Sequence, residues 1–595
     1  MRSSNRNRNK LLHGRRLPKT LSATPKTLST LLLLSVAISG GSVANEPIVS
    51  AAQSQLLASL STQFATLTNR TQNHVANIVY TDKNNSVDPA GKSEQQSPWI
   101  TANRLSETGQ SLFDTIENAQ RFGIDRNRLH YEQLSELLEQ SSLANPFDQK
   151  AVDTLLTSAF KLLVTEVSAG RVSPEETQRY WFESVKGADV DELMVLLRAH
   201  PAAYDNILKD LTSDSRNIAP MLEKLAEYQS IQANGGWPVI EPGPTIQPGK
   251  QSERVMALRQ RLEISGDLQD LPSSAESLLS PDTYTTDLQL AIERFQARHG
   301  LSVDALVGKA TLAALNVTIE ERIEQIELNI ERHRWLPNNY ASRHIITNIP
   351  DYRLRVIENG YTTLTMPVVV GKPKHQTPVF SEEMKYLVVN PTWTVPRSIT
   401  NKELVPKELN SPGSLESSGF SVLDHSGNDI GFENVPASAW NESRFPYVLR
   451  QNPGKRNALG KVKFMMPNEY AIYLHDTPAK KLFKKEQRAY SHGCVRVGDP
   501  RALANHLLER EGWSQSRIET LFQLEETKNV HFQEPVPNHI TYLTSWVDEH
   551  NVLQFRNDIY KLDNSLKTAL ANEAQERNLI VADFRTLHPV LAASE

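Results

Sequence analysis

"YLHDTPAKKLFKKEQRAYSHGCVRV", residues 473–497, holds the only cysteine of a 595-residue chain and two of its 16 histidines. The segment leading into it, "EYAIYLHDT", alternates as a strand does. Ala471, Tyr473 and His475 fall on one face, Ile472 and Leu474 on the other, and His475 comes near the strand end, where a loop site forms. "PAKKLFKKEQRAY" reads as a basic, partly helical excursion, and "SHGCVRVGDPRALANHLLE" turns at a glycine into a helix. Acyl transfer by sulfur needs a thiolate, an imidazole within hydrogen-bond reach and donors aimed at the developing oxyanion. Cys494 offers the thiol, whose pKa nearby positive charge lowers. Gly493 leaves room for a ligand beside the main chain, and the N–H groups around Gly493 and Cys494 are candidate oxyanion donors. His475 is the preferred base. His492, two residues from Cys494, shares its face if the segment is extended, and then orients or tunes the site.

The compartment changes what a lone cysteine means. Residues 1–44 combine a basic stretch, an apolar run from about Leu28 to Ile38 and small residues ending at Ala44, the pattern of a secretory signal peptide. The run is short for a membrane span, which needs about 20 residues, so the alternatives are a cleaved signal or an uncleaved anchor. Cleavage removes eight Lys or Arg and no acidic residue, moving the formal charge from −5 to −13. That balance argues against general nucleic-acid binding. One cysteine makes no internal disulfide, so in an exported protein it is an accidental thiol or a reactive one.

About 550 remaining residues exceed one hydrophobic core and predict two to four domains. Residues 45–240 read as a mostly helical scaffold after a weakly packed start. "NGGWPVIEPGPTIQPG", 234–249, marks a boundary. Residues 245–318 carry amphipathic helices interrupted at 271–283, and 319–339 form a charged linker helix striped by Ile323, Ile326 and Ile330. From residue 340 the period shortens to that of strands, with Asn359-Gly360 as a hairpin turn. Residues 391–447 are loop-like and Pro-rich, too long for a turn, and predict an inserted lid or capping subdomain. The catalytic region is expected to end near 530, with residues 531–595 a C-terminal helical extension whose Trp546, Phe555 and Tyr560 pack rather than react.

Two resemblances join these readings. "RFQARHGL" with the following "D..VG..T..ALN" is similar to the three-helix peptidoglycan-binding domain of cell-wall enzymes. His475, fifteen intervening residues, then Ser491, His492, Gly493, Cys494, Val495 and Arg496 resemble the catalytic motif of the L,D-transpeptidase (YkuD-like) family. The domain order further resembles the large Gram-negative members of the YcbB type. The resemblance implies a mainly β catalytic domain with an inserted capping subdomain, beside a helical scaffold and the peptidoglycan-binding domain. It implies Cys494 as nucleophile and His475 as general base, with Ser491, His492, Gly493 and Arg496 shaping the site, and Tyr473 and Trp393 as substrate contacts. The implied reaction joins two peptidoglycan tetrapeptide stems in a 3-3 crosslink through a Cys494 thioester, with release of D-Ala. It also implies a periplasmic location, no cofactor, other cell-wall synthesis proteins as partners, and acylation by carbapenems.

Other readings stay open from the residues. Water as acceptor gives an L,D-carboxypeptidase or cysteine peptidase, and a free D-amino acid gives exchange. A zinc hydrolase would use His475, His492 and Cys494 with Asp476 or Asp499. A noncatalytic wall-binding scaffold would use residues 245–318 alone. Trp393 is equally readable as a packed aromatic, and the lysines at 480–485 as a solvated face.

Overall fold

The computed structural model describes residues 97–587 apart from 141–142, 184, 186, 214–217, 270–279 and 338–339. The expected signal peptide, most of the N-terminal segment and most of the interruption between the first two helices of the 245–318 region lie outside the described residues.

The N-terminal region is helical, as its three- and four-residue apolar spacing predicts. Its principal helices are α1 (Glu107–Glu117), α2 (Tyr131–Gln140), α3 (Pro146–Ala169), α4 (Val190–Ala199), α5 (Tyr204–Ser213) and α6 (Ala219–Ala233). Ser106, Asn145 and Asp189 cap α1, α3 and α4 through their side-chain oxygens. Then come α7 (Arg254–Ile264), α8 (Thr286–Arg298) and α9 (Lys309–Leu315), closed around Leu258, Leu288, Ile292, Phe295 and Val307. The connector α10 (Ile319–Arg334) starts at a reciprocal capping box between Thr318 and Glu321. It buries Ile323, Ile326 and Ile330.

The remaining region is built on one nine-stranded mixed sheet. Its strands are β1 (Arg343–Asn348), β2 (Arg353–Glu358), β3 (Tyr361–Gly371), β4 (Phe380–Val389), β8 (Val462–Met465), β9 (Leu474–His475), β10 (Ala489–Ser491), β11 (Val495–Val497) and β12 (Lys528–Thr541). They lie in the order β10-β3-β11-β9-β8-β4-β12-β1-β2, and β2 also pairs with β3, so the sheet curls back on itself. Asn359 and Gly360, at φ 51° and 85°, turn β2 into β3 in the left-handed geometry that matches strand twist.

Three expectations need correction. The region is mixed α/β rather than mainly β. Leu503, Leu507 and Leu508 of α11 (Pro500–Arg510), Ile518 and Leu521 of α12 (Gln515–Gln523) and Leu566 of α13 (Leu562–Leu587) share the sheet's core. A helical extension does not start at 531, because β12 is an interior strand between β4 and β1. Pro535 and Pro537 disguise it; Pro535 falls in a register shift between His531 and Val536, and Pro537 stays in register opposite Glu383. Residues 391–447 are not loop-like. The strands β5 (Trp393–Thr394), β6 (Phe420–Leu423) and β7 (Val448–Gln451) form a separate sheet in the order β5-β7-β6. It has its own core of Val395, Val405, Leu415, Val422, Phe445 and Leu449, and it runs on to Gln451. Strands of two to four residues leave too little alternation to be seen beforehand.

The regions are joined by more than chain connectivity. Trp181 bridges Val379 beside β4 and meets the Trp335 ring edge-on at 5.1 Å. Glu166 of α3 takes Arg128 at 2.7 Å and Arg577 of α13 at 2.9 Å.

Candidate active site

Strand pairing decides what stands beside what. β9 runs parallel to β11, with Leu474 opposite Val495 and His475 opposite Arg496. On its other side β9 runs antiparallel to β8, with Lys463 opposite His475. Arg496, His475 and Lys463 therefore make a row across three strands on one face. Leu474, Val495 and Phe464 point the other way and are fully buried. Cys494 precedes β11 and lies one pleat back along that row.

Cys494 is a free thiol that keeps some exposed surface although its sulfur is closely packed by protein atoms. Its Sγ stands 3.7 Å from the Ala471 carbonyl oxygen. Ala471 has φ 55°, which breaks the expected strand alternation at that residue and turns its carbonyl to the thiol. Tyr473 gives Cys494 a main-chain and a side-chain hydrogen bond, its own hydroxyl bonds to the Trp393 side chain, and its ring lies 5.7 Å from that of His475. Trp393 at the same time packs edge-on against Phe420 in the inserted sheet. Burial pushes the thiol above its ordinary pKa, and the Tyr473 hydrogen bonds with the charges of Arg496 and Lys463 pull the other way.

His475 is buried, with Nδ1 2.6 Å from the Asp476 carbonyl oxygen. A carbonyl only accepts, so Nδ1 carries the proton and Nε2 keeps the lone pair. Burial above all, then the Arg496 charge, lowers the imidazole to about 3, against the Asp476 hydrogen bond. At neutral pH both the imidazole and the thiol are therefore uncharged.

The turn at Gly493 is held from behind. Gly493 has φ 119°, and a Cβ there would meet Ile472 Cδ1 at 3.2 Å. Ser491 Oγ donates to the Cys494 carbonyl at 2.6 Å and accepts the Gly493 N–H at 3.1 Å. This bond corrects one expectation, since the Gly493 N–H is already engaged and is not an open oxyanion donor. Thr377 Oγ1 donates to the Gly493 carbonyl at 2.7 Å and accepts the Gly371 N–H at 2.8 Å. The Tyr560 hydroxyl accepts the Thr377 N–H and donates to the Gly371 carbonyl.

His492 does not share the face of Cys494, because the left-handed Gly493 interrupts the extended chain. Its Nε2 lies 2.6 Å from Glu403 of the insert and 3.3 Å from Lys372 Nζ, with the His375 ring 5.0 Å away. In the basic run, Lys480 pairs with Asp476 and Arg488 is spent on main-chain carbonyls of Val368 and Tyr352. Among the described residues no group of three or more His, Cys, Asp or Glu is arranged to hold a metal.

The structure thus gathers Cys494, His475, Tyr473, Arg496, Ser491, Gly493 and Trp393 and sends His492 toward the insert. Sequence reasoning missed Lys463, Thr377 and Glu403, and it named Tyr560 for packing without its hydrogen bonds behind the Gly493 turn. Lys463 in "GKVKFMMP" carried the one usable signal, a charge inside an apolar strand; the other three are set by distant packing.

Comparison with known proteins supplies a second line. Residues 342–518 match the model of the L,D-transpeptidase catalytic domain, residues 92–225 a scaffold domain, and residues 251–315 a candidate peptidoglycan-binding domain. A candidate L,D-transpeptidase of Haemophilus influenzae is 35% identical over 252 residues, 42% of this chain. The chain spans about half the length of that curated relative, at 50%. Crystal structures of L,D-transpeptidases from Stackebrandtia nassauensis and Xylanimonas cellulosilytica are similar at 13% and 15% identity. Each covers 51% of this chain, and 96% and 100% of their own lengths are covered, with TM-scores of 0.20 and 0.17. Overlays that distant carry no argument about residues.

Proposed function

From the match of residues 342–518 to the L,D-transpeptidase catalytic domain, we propose that this chain is a peptidoglycan L,D-transpeptidase forming 3-3 crosslinks through a Cys494 thioester. The observation that carries the reading is that parallel pairing of β9 with β11 sets the tautomer-locked His475 opposite Arg496, two residues along the chain from Cys494.

In this mechanism the Cys494 sulfur attacks the carbonyl of the L-centre of meso-diaminopimelate at its bond to terminal D-Ala. Because thiol and imidazole both rest neutral, the proton passes to His475 Nε2 as the C–S bond forms. The Cys494 N–H serves the oxyanion, since Ser491 holds that of Gly493. His475 returns the proton to the departing D-Ala amine, leaving the thioester. The side-chain amine of an acceptor stem then attacks, loses its proton to His475 and expels the thiol, which regains it. Tyr473, Arg496 and Trp393 contact the donor, and the inserted sheet caps the site from the side on which Glu403 meets His492. The order of scaffold, wall-binding helices and interrupted catalytic region fits the YcbB type, working in the periplasm. Among the described residues no helix is long and apolar enough to cross a membrane.

Incubation with tetrapeptide muropeptides, followed by mass spectrometry, tests this. A thioester that has lost D-Ala and a 3-3 dimer are expected, and both vanish in Cys494→Ala. A folded protein that yields neither refutes the reading. Stem tripeptide without dimer identifies an L,D-carboxypeptidase, and an exchanged terminal residue identifies D-amino-acid exchange. Wall binding unaffected by Cys494→Ala, with no product, identifies a scaffold. Acylation of Cys494 by a carbapenem is expected as an added mass on the same residue.

A further inference from the structure

Among the described residues, two cations at the site have no carboxylate counter-charge. Lys463 and Arg496 flank His475 from the neighbouring strands, and Lys463 Nζ is 5.6 Å from the centroid of the Tyr473 ring. Both are partly withdrawn from water, which weakens their hold on the proton, and the acidic group acting on each is the Cys494 thiol. Arg496 Nε is buried without a hydrogen-bond partner. Arg298 and Arg556 are paired with Asp267 and Asp351 at 2.6 and 2.7 Å, whereas buried Arg261 has no salt bridge among the described residues and donates to the Leu315 main-chain carbonyl. Desolvated charges left unpaired cost stability, and a ligand that brings an anion offsets that cost.

Thiolate stabilisation does not account for the pair. The thiol stays above its ordinary pKa with both cations present, and a thioester carries no charge for them to meet. A guanidinium fork beside an ammonium suits a planar carboxylate. We propose that Lys463, together with Arg496, receives a carboxylate of the donor stem close to the amide that Cys494 attacks. This rests on the acyl-transfer reading and adds to it what is recognised. It also has a consequence for His475: both cations hold its proton affinity down, so a bound carboxylate makes the imidazole a better base when substrate is in place.

Alkylation of Cys494 by iodoacetate and by iodoacetamide tests the site without requiring turnover. In both reactions sulfur bonds to the CH2 carbon, iodide leaves with the C–I electron pair, and the thiol proton is released. The reagents differ in a carboxylate against an amide. The iodoacetate-to-iodoacetamide rate ratio is expected to be at least about tenfold higher in the folded protein than in the urea-unfolded chain. It should fall about tenfold in Lys463→Gln and largely return in Lys463→Arg. A tenfold change corresponds to about 1.4 kcal/mol. A ratio unchanged by folding, or by Lys463→Gln with an unaltered urea midpoint for Cys494 exposure, overturns the proposal. If Lys463→Gln does not fold, an unchanged ratio in Lys463→Met or no advantage of the wild type over its unfolded chain overturns it equally.

A second arm finds the source of the carboxylate. Stems amidated at the terminal D-Ala or at the side-chain centre of diaminopimelate are compared with the unmodified donor. Lys463→Gln should cost about tenfold in kcat/KM on the unmodified stem and nothing on the amide that lacks the received carboxylate. Equal loss on all three overturns the proposal. No turnover of any stem by the wild type counts against the acyl-transfer reading, and the alkylation ratio still decides the carboxylate site.

Discussion

Thr377→Val tests whether the Gly493 turn is held from behind as described. The side chain is 2% exposed, its hydroxyl donates to the Gly493 carbonyl and accepts the Gly371 N–H, and valine keeps the shape while losing both bonds. Two buried main-chain groups are then orphaned at about 1–3 kcal/mol each, so the loss is about 2–6 kcal/mol. Thr377→Ser keeps the oxygen and loses one methyl, about 1 kcal/mol. A chain of several domains has no single unfolding free energy, so a probe confined to the catalytic region is required. The lone cysteine supplies one. Brief alkylation pulses at increasing urea read the exposure of Cys494, and the midpoint for Thr377→Val should fall well below those of wild type and Thr377→Ser. Below the transition, the alkylation rate should also rise in the valine variant, because the carbonyl that aims the turn is released. Coincident midpoints for valine and serine variants would refute the reasoning.

Other expectations follow from the same geometry. The folded pKa of His475 is depressed to about 3 from 6.5, so its contribution to stability is present above pH 6.5 and lost as pH falls toward 3. The urea midpoint of His475→Gln should accordingly change less between pH 7 and 4.5 than that of the wild type; an equal change removes the buried neutral imidazole from the account. Because burial raises the Cys494 thiol, its iodoacetamide rate should still be climbing above pH 9, and a plateau near neutrality would show a preformed thiolate instead. Gly360→Ala has open space around its new Cβ but φ 85°, so its cost should be conformational alone, about 1–2 kcal/mol by the same urea assay. The His492 and Glu403 side chains remain 27% and 47% exposed, and a double-mutant cycle between them should give a coupling under about 1 kcal/mol.

The helical N-terminal region was legible because three- and four-residue spacing persists over whole helices, and the β2–β3 hairpin because Asn-Gly has few other uses between strands. β12 was not. Two prolines and "HFQE" give no alternation, and only the neighbours β4 and β1 make that stretch a strand. The inserted sheet was hidden for the opposite reason, since its strands are too short to have a period. Within the site, Cys494, His475 and the run from Ser491 to Arg496 stood close together in the chain and could be read as a motif. Lys463 reached the site through strand pairing and Thr377 through a buried hydrogen bond.

By itself, then, the sequence determined which groups are present: one thiol, its histidines, and a glycine that lets the chain turn beside them. Only the tertiary structure decided which histidine serves which surface. Gly493 at φ 119° diverts His492 to Glu403, while parallel pairing of β9 with β11 brings His475 alongside Arg496. The protonation states belong to the fold as well. Burial and neighbouring charge raise the thiol and lower the imidazole, and neither influence exists until separate strands are brought into register.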